Sequence, residues 1–140
     1  MRLLPIACLA ALVVACAGPT APEGTVNVTA QPAEVSPGGE VTITVENRTS
    51  SPVVPNWCGP VPLQRANGEG WSAFRWHAGP EQGLVCLGIG LSIPPGESYA
   101  MPVRLADDIP EGQYRVLLRM SIGGRGGLKT LPSSGFTVRP

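Results

Sequence analysis

The chain has 140 residues, in which ten Lys and Arg balance ten Asp and Glu, with one His and four Cys. A net charge near zero, Lys129 as the sole lysine and no basic cluster leave nothing to track a phosphate backbone, so no nucleic-acid partner is expected.

The amino terminus is a targeting segment. Met1-Arg2 precede an apolar run from Leu3 to Val14, long enough for an export signal and too short to span a bilayer. An ordinary signal would end in an A-x-A-like site, but here Val13-Val14-Ala15 lead directly into Cys16 and then into AGPTAPEG. This closely resembles the lipobox of bacterial lipoproteins. The resemblance implies a diacylglycerol on the Cys16 thiol, cleavage just before it, and membrane attachment through that lipid. Each buried CH₂ of an acyl chain contributes about 0.8 kcal/mol, so two or three chains anchor permanently without a membrane-spanning helix. Cys8, preceded by Pro5-Ile6-Ala7, would leave almost no apolar segment and is discarded. In Gram-negative lipoproteins Ala rather than Asp after the Cys, here Ala17, goes with transfer to the outer membrane. The expected organisation is a signal peptide over 1–15, a lipidated Cys and flexible tether over 16–25, and a domain over 26–140. The mature length, about 125 residues, suits one domain with one core.

Along that domain, Val26, Val28 and Ala30 alternate with polar residues, which predicts a half-buried strand. PAEVSPGGE is read as a turn, and EVTITVEN then repeats the alternation with Val41, Ile43 and Val45 on one face. The four prolines of SSPVVPNWCGPVPLQR point to an edge strand or a long loop. ANGEG is a hairpin turn, with Asn67-Gly68 tolerating positive φ, before WSAFRW. GLVCLGIGLSI is read as a strand running close to another backbone. SYAMPVRL places Tyr99, Met101, Val103 and Leu105 on one face, GQYRVLLRMSI does so with Tyr114, Val116, Leu118 and Met120, and GFTV is the last strand. GGRGGLK has neither Walker spacing nor a following helix and is a flexible connection between the last two strands.

No stretch carries a 3.6-residue period. Seven or eight short strands separated by Pro/Gly turns predict an all-β fold, an antiparallel β-sandwich. DDIPEGQYRV resembles the corner entering a late strand of immunoglobulin-like domains, and SPGGEVTITVEN and PPGESYAMPV resemble bacterial immunoglobulin-like sandwiches. The resemblance implies that the Tyr114 hydroxyl bonds back to the backbone a few residues upstream. The chain departs from antibody-type domains at Val116, where they carry their second core Cys.

Cys58 and Cys86, the cysteines of the mature domain, are read as a disulfide in an oxidising envelope. It would constrain the unfolded chain by about 3–4 kcal/mol in the entropic model, with Trp57 packing beside it. The competing reading is metal or thiol handling by Cys58, His77 and Cys86, although no C-x-x-C or H-x-x-x-H spacing supports it. A blue-copper centre needs two His with a Cys and is excluded by the single His. His77 lies in the turn-rich RWHAGPEQG with no G-x-S-x-G, H-E-x-x-H or S-x-x-K in the chain, so catalysis is not expected and no cofactor is implied.

Trp71, Phe74 and Trp76 form the densest aromatic cluster and are the candidate binding residues. At strand spacing Phe74 and Trp76 share a face and Trp71 takes the other. Asn27-Val28-Thr29 and Asn47-Arg48-Thr49 fit a glycosylation pattern that carries no implication in a bacterial lipoprotein. The leading expectation is a membrane-tethered binding or structural module with an envelope protein as partner. The alternative is a β-sandwich protease inhibitor presenting CGPVPLQR as a rigid loop.

Overall fold

The computed structural model describes residues 24–56, 61–74, 91–124 and 127–140. These form ten strands and no helix: β1 (Val26–Gln31), β2 (Glu34–Val35), β3 (Glu40–Asn47), β4 (Val53–Pro55), β5 (Leu63–Ala66), β6 (Trp71–Phe74), β7 (Ser98–Arg104), β8 (Gly112–Ile122), β9 (Lys129–Pro132) and β10 (Phe136–Val138). One sheet has the order β1-β3-β7, antiparallel throughout. The other has the order β2-β10-β8-β5-β6, with β4 and β9 also paired to β8.

The eleven-residue β8 is the spine of this second sheet. Tyr114 pairs with Arg65 on one flank and Phe136 on the other, and Met120 pairs with Pro55 and Lys129 in the same way. β4 and β5 are therefore two pieces of one broken strand, and β9 and β10 two pieces of another. Counted as passes across the sandwich, with β1 continuing into β2, the described chain makes seven. The pairing order is that of an immunoglobulin-like sandwich.

Three sequence expectations need correction. Glu34–Val35, read as part of a turn, forms β2; it carries the first strand across to the second sheet, where it runs parallel to β10, so the fold is not antiparallel throughout. Lys129–Pro132, whose single buried-face position is too short an alternation to register, forms β9. The proline-rich middle yields a marginal strand, β4, but β5 lies inside the sheet between β8 and β6. Its residues Leu63–Ala66 contain no proline, so every backbone N–H is available to the ladder. Of GLVCLGIGLSI, only the last three residues are described, and there buried Ile93 exchanges backbone bonds with Val53.

The two-residue alternation assigns the core. Val41, Ile43 and Val45 of β3 and Met101 and Val103 of β7 face Leu63, Val116, Leu118, Met120 and Phe136 of the second sheet, all buried. The broken last strand ties the two sheets together at its interruption. Ser133 Oγ accepts from Val116 N at 3.0 Å and donates to Ser134 O at 2.8 Å. Ser134 in turn donates its backbone N–H to Val28 O at 3.0 Å, and its Oγ accepts from Ala30 N at 2.8 Å. These bonds satisfy backbone groups that the break would otherwise orphan.

Asn47, at the end of β3, is fully buried. Its Nδ2 donates to Ser51 O and Ile93 O, both at 2.8 Å. Its Oδ1 accepts from Thr49 N at 2.9 Å and Thr49 Oγ1 at 2.7 Å. The backbone bonds Asn47 N to Glu97 O and Gly96 N to Asn47 O complete the set. One residue thus fastens three segments, 47–51, Ile93 and 96–97, at the pole where β1 begins. A buried polar side chain is tolerated because both donors and the acceptor are used.

Candidate functional site

Tyr114 anchors the opposite pole. Its ring is fully buried, edge-on to Phe74 at 5.2 Å and stacked with Phe136 at 6.1 Å between centroids. Its hydroxyl donates to the Pro110 carbonyl at 2.7 Å, a bond that holds the corner leading into β8. Burial raises the phenol pKa above its ordinary value, with the nearby Arg65 charge acting the other way. The Arg65 guanidinium lies 5.9 Å over the ring and donates to Glu111 O at 2.6 Å, closing the end of the core. Gly112, with φ +150°, lets the chain enter β8 where a side chain would meet that guanidinium.

The aromatic cluster divides. Leu63 is buried and pairs with Phe74, so Phe74 points inward against Tyr114, while Trp71, an odd number of positions away, stands on the outer face. Phe74 is consequently packed, partly buried, against the core. Trp76 lies outside the described residues, as do Cys16, Trp57, Cys58, His77 and Cys86.

Trp71 is half-buried on that outer face, and what it meets there is Arg115. The guanidinium carbon of Arg115 sits 4.5 Å from the indole centroid, within cation–π range. Arg115 Nε donates to Gln64 Oε1 at 2.7 Å. Gln64 pairs with Arg115 across the β5–β8 ladder, so the register itself places amide and guanidinium side by side. The far edge of the indole reaches Gly135, where an added Cβ would stand 3.6 Å from Trp71 Cη2. A bulky side chain there would displace the ring.

Around this trio the outer face holds Leu117, Arg119, Thr130 and Pro132. Among the described strand residues of this face the carboxylate is Glu34, at the β2 margin and bonded to Arg139 at 3.3 Å. The arrangement is a cationic, partly apolar surface with one aromatic. Trp and Arg are enriched among the residues that dominate protein interfaces, Trp for its large contact area on few rotatable bonds and Arg for its planar fork of donors. No group of three or more His, Cys, Asp or Glu able to hold a metal occurs among the described residues.

Arg115 and Gln64 were missed as site residues by the sequence reading. The outward position of Arg115 follows from the alternation of GQYRVLLRMSI, but its partners come from two other strands whose register the sequence does not state. No protein-family model matches this chain, and neither does any curated protein.

Proposed function

We propose that this protein is a lipid-anchored module of the cell envelope that binds a partner protein through the outer face of its second sheet and catalyses no reaction. The observation that carries the binding reading is the Arg115 guanidinium held over Trp71, 4.5 Å from the ring centroid, and tied to Gln64 on the outer face. The anchor rests on Val13-Val14-Ala15-Cys16, which resembles a lipobox. Among the described residues no helix is long and apolar enough to cross a membrane.

The test is recovery of the tagged chain from the membranes of its own organism after reversible cross-linking, with mass analysis of its amino terminus. An acylated Cys16 and a discrete protein partner in fixed ratio are expected, and Cys16→Ser should move the chain to the soluble fraction. An unmodified terminus with undiminished membrane retention would remove the anchor. Recovery of the chain alone would remove the binding role.

A further inference from the structure

Arg115 is held in a way that leaves its strongest recognition edge unused. Nε is taken by Gln64 and the guanidinium carbon lies over the Trp71 ring, and among the described residues the two terminal amino groups make no polar contact. Those amino groups form the fork that matches a carboxylate with two parallel hydrogen bonds. Because the Trp71 contact and the Gln64 bond already fix the rotamer, little side-chain freedom is left to lose when a ligand arrives.

We propose that the Trp71–Arg115–Gln64 trio is a docking site for a Glu- or Asp-bearing segment of the partner protein, with Arg115 gripping a carboxylate and Trp71 covering the adjacent apolar part. Charge complementarity selects this occupant. Among the described strand residues of this face, Arg119 extends the positive potential along β8 and the carboxylate, Glu34, is paired with Arg139 at the far margin. Leu117 and Pro132 give a neighbouring apolar strip, which suits a polypeptide with mixed side chains better than a uniformly charged lipid headgroup layer. The site names the partner chemistry of the binding role above and rests on it.

The test uses the full chain, purified from native membranes and placed in neutral-lipid nanodiscs, titrated with fluorescent poly-L-glutamate and with poly-L-lysine as control. Saturable, salt-sensitive binding of poly-L-glutamate alone is expected. Arg115→Gln should weaken it at least tenfold, Arg115→Lys by less, and Arg139→Gln, which removes equal charge at the far margin, by under twofold. A loss shared equally by Arg115→Gln and Arg139→Gln, no saturable binding, or equal competition by phosphatidylglycerol vesicles would overturn the assignment. A partner captured from the envelope equally by the wild type and by Arg115→Gln also overturns it while leaving the binding role standing. Glutamate binding that is lost in Arg115→Gln supports the site even where capture recovers no partner.

Discussion

Asn47→Ala is expected to lower the unfolding free energy by about 2–4 kcal/mol, since a buried polar group stripped of its partner costs about 1–3 kcal/mol and each further net hydrogen bond lost about 0.5–1.5 kcal/mol. The substitution leaves Thr49 N without its acceptor and removes one of two donors from Ser51 O and from Ile93 O, which keep Thr49 Oγ1 and Val53 N, at a fully buried position. Urea unfolding followed by circular dichroism measures it, and a loss below about 1 kcal/mol would show that the network is replaceable by water. Asn47→Asp separates geometry from volume. A carboxylate keeps the acceptor for Thr49 but turns a second oxygen towards two carbonyls, which raises its folded-state pKa above the unfolded value. Its protonated form restores one donor. Asn47→Asp should therefore be as damaged as Asn47→Ala near neutral pH and recover part of the loss as the pH falls through that raised pKa.

Tyr114 gives the second large effect, in two graded steps. Tyr114→Phe removes the hydroxyl that meets Pro110 O and should cost about 1–2 kcal/mol. Tyr114→Ala also empties the space between Phe74 and Phe136 and should cost about 3–5 kcal/mol. The pH dependence has a definite sign. Burial raises the native phenol pKa, so the unfolded chain ionises first; stability is whole below the ordinary value near 10 and is lost as pH rises through the native value. Tyr114→Phe should lack that part of the alkaline decline. Denaturant curves at pH 8 and pH 11 check this, and identical pH slopes for wild type and Tyr114→Phe would contradict the assignment.

These two residues also mark what the sequence discloses and what it conceals. Tyr114, Val116, Leu118 and Met120 announce their face because burial on one side of a strand forces a period of two, and the structure buries all four. The DDIPEGQYRV corner is equally local: donor and acceptor lie four residues apart. Asn47 is different. Its inward phase continues that of Val41, Ile43 and Val45, but the Ile93 carbonyl that it meets arrives from 46 residues away. The same limit applies to the outer face. Trp71 and Arg115 become neighbours through two strand registers, β6 on β5 and β5 on β8, and a shift of one residue in either would send one of them to the core. β2 and β9 escaped because each shows too few buried positions for an alternation to be visible.

The most direct measurement of the binding role is site-specific photo-cross-linking in intact envelopes of the producing organism. A photoreactive phenylalanine analogue would replace exposed Ala73, paired with Gln64 on the outer face of the second sheet, in one variant and exposed Ala100, on the outer face of the first sheet, in another. The account predicts one discrete protein adduct from position 73 and none from position 100. Adducts of equal yield from both positions, or from position 100 alone, would contradict it.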